Sequence, residues 1–211
     1  RIDEGALEEL VNLRKLHLEN NKLNKIEGNF FKNLTNLSEL YLSKNLIESI
    51  DKDGFEGLSR LKILDLKNNK INNLEKQQFD NLEQLTELDL SYNYIQHLES
   101  DFFENFSNLK ILIISNNKLV FVENSQSISE IIIKCKFLEY LDISSNQIKG
   151  SFVLKIPNLS YINLSFNSIS SVTFEVNEIS KDLKINLSSN RLVFFPKIIG
   201  SVKKGVSISL N

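Results

Sequence analysis

Eight asparagine residues recur along the chain in the same local setting, and their spacing restricts the fold more than any other feature. Each follows a short segment of alternating apolar and polar residues and precedes an apolar residue two positions later. The first five are separated by 24 residues each, and the remaining intervals are 29, 21 and 23 residues. A fixed period of this length predicts a solenoid built from stacked copies of one unit. The positions are Asn21, Asn45, Asn69, Asn93, Asn117, Asn146, Asn167 and Asn190.

The second unit shows the pattern that every copy approximates. It reads Leu37-Ser-Glu-Leu40-Tyr-Leu42-Ser-Lys-Asn45-Leu-Ile47, which fits L-x-x-L-x-L-x-x-N-x-L at every fixed position. The units led by Leu13, Leu61, Leu85 and Leu138 fit it as well. This pattern resembles the leucine-rich repeat signature over nearly the whole chain. The resemblance implies an α/β-type repeat solenoid, a curved horseshoe with one parallel β-sheet on its concave face. It also implies mostly loops, turns and short helices on the convex face.

The segment L-x-L alternates apolar and polar residues, which predicts a strand with one buried side. Strands from successive units are expected to lie side by side, so that the leucines point inward and the x residues line the concave face. The asparagine follows at the point where the strand ends and the chain turns. Because its amide group both donates and accepts hydrogen bonds, we expect it to satisfy backbone groups in the turn and to form a ladder along the stack.

Further apolar rows follow the asparagines and are predicted to fill the space behind the sheet. The row ten residues after the asparagine contains phenylalanine in four successive units, at Phe31, Phe55, Phe79 and Phe103. We expect these rings to stack as a spine. A 24-residue unit with this phenylalanine resembles the typical subclass of leucine-rich repeats, which in animals is found mainly outside the cell.

The pattern changes after the fifth asparagine, where the interval lengthens to 29 residues. The extra residues predict a convex loop or short helix at about 123–135, and we expect a change of curvature at 120–160. We predict one solenoid over residues 1–211, with about eight full repeats, partial repeats at both ends and irregular repeats at about 117–165. Because the chain begins and ends inside a repeat, we expect it to be an excerpt of a longer ectodomain.

Charge and composition restrict the classes of partner. The net charge is −2 at pH 7, which gives no strong signal for nucleic-acid binding. No apolar run approaches the roughly 18 residues of a membrane span, so a membrane would be reached only through segments absent from this chain. Cys135 is the only cysteine, which excludes a disulfide within the chain, and it takes the place of a buried apolar residue in its repeat.

Six N-x-[ST] sequons occur in the sequence, and their predicted positions separate them. Three lie in segments expected on the convex side, where a glycan would not disturb the sheet, and these are the predicted glycosylation sites: Asn33, Asn36 and Asn105. Asn163 and Asn186 fall within strands, where a glycan would cover the concave face, and we do not expect them to be modified. The sequence leaves Asn158 unassigned.

No group of residues with catalytic chemistry is brought together by the repeat pattern. The two histidines, His17 and His97, fall in different repeats, and no glycine-rich phosphate loop is present. Asp65 and Asp89 occupy the same strand position in neighbouring repeats, but the L-D-L-S form is common in repeats without any chemistry. We therefore predict neither an enzyme nor a metal site, and no cofactor.

Apolar and aromatic residues gather on the predicted concave face in repeats four to seven. Exposed clusters of this kind mark binding sites, because aromatic side chains supply a large contact area at a low entropic cost. The alternative is that some of these rings tilt inward or are covered by the insertion at 123–135. The predicted ligand-binding residues are Tyr92, Ile111, Ile113, Tyr140, Tyr161 and Phe166, with Asp89 and Asp142 placed to select a basic group.

The 24-residue repeats, the phenylalanine row, the L-D-[IL]-S strands and the irregular repeat together resemble the ectodomain of a Toll or Toll-like receptor. That resemblance implies an extracellular or cell-surface receptor of the innate-immune type. Such a receptor binds a protein or microbial ligand on its concave or lateral face and signals by dimerising. Two alternatives remain open. One is a secreted or adhesive leucine-rich protein without a signalling domain, and the other is a cytoplasmic scaffold or targeting module.

Overall fold

Nine short strands form one continuous parallel sheet in the computed structural model, which describes residues 5–99, 101–120, 134–155, 158–179, 182–202 and 205–210. The strands pair in chain order, one from each successive repeat. They are β1 (Lys15–His17), β3 (Glu39–Tyr41), β5 (Ile63–Asp65), β6 (Glu87–Asp89), β7 (Ile111–Ile113), β8 (Tyr140–Asp142), β10 (Tyr161–Asn163), β12 (Leu183–Asn186) and β14 (Val206–Ser209). The opposite side carries β2 (Lys25–Ile26), β4 (Ser49–Ile50), β9 (Lys149–Lys155), β11 (Ser168–Ile179) and β13 (Lys197–Val202).

The concave sheet has a single register from its first strand to its last. The central leucines of neighbouring strands lie opposite one another, as with Leu40 and Leu64, and both are 0% exposed. In the strands of this sheet from β3 to β8 and in β10, the residues on either side of the central apolar residue point to the concave surface and are half-buried. This arrangement confirms the predicted parallel-strand solenoid. A short 3-10 helix at Lys76–Phe79 interrupts the turns on the convex side.

Buried asparagine amides connect each repeat to the one before it. Asn69 Oδ1 accepts a hydrogen bond from the Ile47 amide at 3.0 Å, and its Nδ2 donates to the carbonyls of Leu42 and Leu66, both at 3.0 Å. The same pattern recurs at each later asparagine up to Asn190. Within the described part of the chain, the exposed Asn21 donates only to carbonyls of its own repeat. The ladder therefore satisfies turn carbonyls and amides that would otherwise be buried without partners.

The residue before each of these asparagines adopts a left-handed backbone conformation, with φ between 52° and 58° in all eight repeats. In the seven repeats up to that of Phe166, its amide donates to a carbonyl of the next repeat, as when Tyr92 donates to Ser115 at 2.9 Å. The turn thus extends the hydrogen bonding of the sheet by two residues. This conformation directs the side chain of the residue onto the rim of the concave face, whatever the residue is.

A row of phenylalanines backs the first repeats, but its fourth member differs from the prediction. Phe31, Phe55 and Phe79 are fully buried, and their rings follow one another at centroid distances of 6.4 and 5.6 Å. The next ring in contact with Phe79 is that of Phe102, at 5.2 Å, rather than that of Phe103. Phe102 and Phe103 are both buried and meet edge to face at 5.0 Å. The 24-residue spacing predicted Phe103 as the next ring of the row, and this prediction was wrong, because the adjacent Phe102 contacts Phe79 instead.

A second parallel sheet, which the sequence analysis did not predict, backs the last repeats. It contains β9, β11 and β13 in the order β13-β11-β9. Alternate residues of these strands are buried behind the concave sheet and replace the phenylalanine row, namely Phe152, Leu154, Val172, Phe174 and Val176. Because strands are spaced by about 4.8 Å in both sheets, the two sides of the solenoid advance by equal distances per repeat here.

One glycine permits the close approach of these back strands. Gly200 in β13 has φ +126°, a region that residues with side chains rarely adopt. A Cβ atom at this position would lie 1.7 Å from the carbonyl oxygen of Val176 in β11, so any side chain would collide with that strand.

The predicted insertion at 123–135 lies mostly outside the described residues, which resume at Lys134. At that point Lys134 and Lys76 both bind the carboxylate of Glu104, at 2.5 and 2.8 Å. These hydrogen bonds lower the pKa of Glu104 to about 2. Cys135 follows and is 1% exposed, and burial raises the pKa of its thiol to about 12. The cysteine therefore fills the core as an apolar residue.

Replacing Asn69 by Ala should lower the free energy of unfolding by roughly 2–4 kcal/mol, because buried backbone groups in two repeats would lose their partners. Urea denaturation followed by circular dichroism measures this change. The matched control is Asn72→Ala, an exposed asparagine three residues later, for which a change within about 0.5 kcal/mol is expected. Equal effects of the two substitutions would show that the amide ladder does not stabilise the stack.

Candidate ligand-binding surface

Four of the predicted binding residues lie together in the middle of the concave sheet. Ile111, Tyr140 and Tyr161 form an unbroken row across β7, β8 and β10. Ile113 lies two residues further along β7. All four side chains are half-buried, because each is flanked by neighbours on adjacent strands. The surface formed by these four residues together with Tyr92 and Phe166 is referred to below as the concave patch.

The rings of Tyr140 and Tyr161 are stacked, with centroids 4.6 Å apart and planes inclined by 11°. The strand register places the two residues directly opposite each other, and the spacing of about 4.8 Å between strands suits ring stacking. Burial raises the pKa of both phenols, and the nearby carboxylate of Asp142 raises it further. Both hydroxyl groups are therefore protonated at neutral pH and can donate a hydrogen bond to a ligand.

Tyr92 and Phe166 stand at the two ends of the concave patch rather than inside it. Both occupy the left-handed turn position, with φ of 55° and 54°, and they are 51% and 62% exposed. Three repeats separate them, which corresponds to about 14 Å at the usual strand spacing. The ammonium group of Lys67 lies 5.5 Å from the centroid of the Tyr92 ring, within range of a cation–π interaction.

The carboxylates of Asp89 and Asp142 also cap the turns that follow their own strands. Asp142 Oδ1 accepts hydrogen bonds from the amide and hydroxyl of Ser144 at 2.9 and 2.6 Å, and its Oδ2 accepts one from Asn163 at 3.3 Å. Asp89 Oδ1 accepts one from the Ser91 amide at 2.8 Å, and burial raises the pKa of Asp89. The side chain of Ser91 also forms a hydrogen bond with the Asp89 carboxylate. Both carboxylates therefore cap their own turns, and each keeps lone pairs that can accept a donor from a partner.

A second cluster on the concave face, which the sequence analysis missed, lies on β1 and β3. The rings of His17 and Tyr41 are stacked with centroids 4.6 Å apart. Lys15 pairs with Glu39 at 2.8 Å, and the Tyr41 hydroxyl donates to Glu39 at 2.9 Å. Burial and then this hydrogen bond raise the pKa of Tyr41 to about 12. The sequence contained the information needed to find this cluster, because residues 24 positions apart lie opposite each other on neighbouring strands.

The sequons occupy different environments. Asn33 is exposed, whereas Asn36 and Asn105 are half-buried. Their side-chain amides donate to Glu8 O, Val11 O and Asp80 Oδ1 at 3.4, 2.9 and 2.6 Å respectively. Asn163 and Asn186 lie in β10 and β12, where each Oδ1 accepts the amide of the serine two residues later. These two asparagines take the turn-capping role that Asp142 has in the preceding strand.

Asp65 lies opposite Asp89 in the sheet register and caps its own turn by accepting the Lys67 amide at 2.9 Å. In the part of the chain that the structure describes, no three His, Cys, Asp or Glu side chains are grouped closely enough to hold a metal ion. No helix among the same residues is long and apolar enough to cross a membrane.

The sequence profile described as leucine rich repeat matches the chain three times, at residues 11–71, 35–95 and 83–148. The chain belongs to the leucine-rich repeat family. This family generally forms a non-catalytic fold that recognises proteins and other ligands on a rigid surface. No curated protein sequence matches the chain.

Solved structures of leucine-rich repeat proteins share the fold. TLR13, in a complex with ssRNA13, is 25% identical, with a TM-score of 0.66 over 81% of this chain and 27% of TLR13. The leucine-rich repeat domain of APL1B is 20% identical, with a TM-score of 0.72 over 99% of this chain and 61% of that chain. A leucine-rich repeat protein of Leptospira interrogans is 22% identical, with a TM-score of 0.70 over 89% and 52% of the two chains. The chain thus spans less than two thirds of each of these proteins.

Replacing Asp142 by Asn should lower the pKa of both Tyr140 and Tyr161, because it removes the carboxylate that disfavours their ionised forms. The turn should be preserved, since asparagine already caps the next two strands. Titration of the tyrosine 13Cζ resonances by NMR measures the pKa values. The pKa of Tyr41 should remain near 12 and serves as the internal control. Unchanged pKa values of both patch tyrosines would contradict this electrostatic account.

Proposed function

We propose that this chain is a ligand-recognition segment of an extracellular receptor of the Toll-like type, and that the concave patch binds a protein ligand carrying a basic group. The observation that supports this most directly is the patch itself. It presents six aromatic or aliphatic side chains towards solvent on a sheet whose remaining outward residues are mostly polar.

The exposure of two aromatic rings at the left-handed turn position supports a binding role. Residues with a side chain are destabilised by ~1–2 kcal/mol in the left-handed region, and small polar residues are the usual occupants. Tyr92 and Phe166 adopt this conformation while leaving more than half of each side chain in water. Neither ring gains the stability of burial in return. Because all eight repeats share this conformation, the exposed aromatic ring, and not the backbone, is what supports binding at these two positions.

The stacked tyrosines contribute a rigid contact surface. Each ring of Tyr140 and Tyr161 limits the rotation of the other, so little side-chain entropy remains to be lost when a ligand binds. Their hydroxyl groups add hydrogen-bonding capacity to an apolar surface. Tyrosine is enriched at the energetic centres of protein interfaces for this combination of properties.

Charge favours a basic protein group over a nucleic acid as the occupant of the patch. Asp89 and Asp142 flank Ile113 on the adjacent strands, so negative charge surrounds the apolar centre. Carboxylates at these positions would repel phosphate groups, whereas they would pair with a lysine or arginine of a protein. The RNA in the TLR13 complex is therefore not the ligand class proposed for this surface.

The Toll-like assignment is supported by the 24-residue repeats and by the similarity to TLR13 over 81% of this chain. The match covers only 27% of TLR13. We therefore include signalling and receptor dimerisation as part of what we propose.

The double substitution Tyr140→Asp with Ile113→Asp should abolish partner binding while the chain remains folded. A photo-crosslinking amino acid placed at position 161 of the secreted protein should capture the partner, and the double variant should lose this product. Tyr94→Asp is the matched control, because Tyr94 is 48% exposed but lies outside the patch, against Lys118. Capture of the same partner by a folded double variant would refute the concave patch as the binding site.

An extracellular location predicts glycans on Asn33 and Asn105 of the native protein. Treatment with a glycosidase that releases N-linked glycans, followed by peptide mass spectrometry, should show an asparagine-to-aspartate conversion at these positions. Asn163 and Asn186 should remain unmodified, because their side chains cap strands inside the concave face. Unmodified Asn33 and Asn105 in the native protein would instead favour a cytoplasmic scaffold.

A further inference from the structure

A shallow depression of about 420 Å³ lies at the edge of the concave sheet where the first strands begin, away from the concave patch. It is lined by Arg14, Asn36, Ser38, Arg60, Lys62 and Gln84. Three of these six residues are cationic and none is acidic. This local charge of +3 contrasts with the net charge of −2 of the whole chain, so the depression is a distinct basic site.

The three cations are not neutralised by neighbouring carboxylates. Across residues 5–99, 101–120, 134–155, 158–179, 182–202 and 205–210, the side chains of Arg14, Arg60 and Lys62 take part in no ion pair. Glu39, which follows Ser38 in the chain, is already paired with Lys15 at 2.8 Å. Three like charges around one depression repel each other, and an anion bound between them would relieve that repulsion.

The lining of the depression is held in place before any ligand arrives. Arg60 Nη1 donates to Asn36 Oδ1 at 2.7 Å, and Asn36 Nδ2 donates to the carbonyl of Val11 at 2.9 Å. The carbonyl of Arg14 accepts from the amide and hydroxyl of Ser38 at 2.8 and 2.9 Å. The guanidinium group is therefore positioned on a fixed frame. Its remaining N–H groups can bind an oxyanion through two parallel hydrogen bonds.

From this geometry we infer that the depression binds a sugar carrying a sulfate or phosphate ester. The ester oxyanion binds Arg60, Arg14 and Lys62, and the amide of Gln84 binds sugar hydroxyl groups. The volume suits a ligand of this size. No aromatic ring lines the depression, so a nucleic acid would find no platform on which to stack its bases. The site is separate from the concave patch and does not depend on the proposed receptor function.

The inference conflicts with one sequence-based expectation. Asn36 is a sequon asparagine, and a glycan on its Nδ2 would occupy the depression. An N-linked glycan on Asn36 and a free anion site therefore exclude each other. Peptide mapping of the protein from its native source decides between them, and a glycan found on Asn36 overturns the inference.

The binding test uses NMR on the 15N-labelled chain produced without glycans, titrated with glucose 6-sulfate and glucose 6-phosphate. Both probes should produce saturable shifts at the amides of Ser38 and Lys62 and at the side chain of Gln84. The dissociation constants should be on the order of millimolar, because each exposed ion pair contributes little. Uncharged glucose should produce none of these shifts. Absence of saturable shifts with both esters would overturn the inference.

Two variants test the role of the basic side chains. Lys62→Gln should weaken ester binding by roughly three- to fivefold, the size expected for one exposed ion pair. Lys110→Gln is the matched control, because Lys110 is also exposed and holds the same repeat position two strands further along, outside the depression. Equal weakening by both variants would mean that the esters are attracted non-specifically to exposed lysines, which would overturn the inference. Tighter binding of single-stranded oligothymidylate at the same residues would make this a nucleic-acid site instead.

Discussion

The buried asparagine amide is the interaction on which the rest of this solenoid depends. Each amide, from Asn45 onward, satisfies groups in its own turn and in the repeat before it. A repeat cannot shift along its neighbour without breaking these bonds, so the amides fix the strand register. The register in turn decides which side chains face the core and which meet on the concave surface. The stacking of Tyr140 on Tyr161 is a direct result of it.

Because the ladder lies at the ends of the strands, the opposite side of the solenoid is free to vary. Phenylalanine rings fill that side in the first repeats, and a three-stranded sheet replaces them in the last ones. The concave sheet continues through the change without a shift in register. The concave patch spans the repeats at which the backing changes. The concave patch, with its uniform strand register, is thus supported by two different kinds of core.

The concave architecture could be predicted from the sequence because its signals are periodic. A fixed spacing of 24 residues places Ile63 opposite Glu87 and Asp65 opposite Asp89 with no further information. The back of the solenoid was less predictable, because it depends on packing rather than on period. Phe102 rather than Phe103 contacts Phe79, although Phe103 has the expected spacing, and the sheet containing β11 follows no repeated motif. The basic depression follows the same rule, because Arg14, Ser38 and Lys62 share one repeat position and Asn36, Arg60 and Gln84 share another, but the sequence analysis considered only the columns inside the strands.

The left-handed residue before each asparagine has a consequence for how such a surface can change. Its φ angle is almost constant although the residue is Asn, Lys, Tyr, Ser or Phe in different repeats. The main chain therefore sets the conformation, and the side chain is not needed to maintain it. A substitution at this position alters what the rim presents while leaving strands and core in place. Families of repeats built in this way can acquire new ligand preferences by single exchanges, without compensating changes elsewhere in the fold.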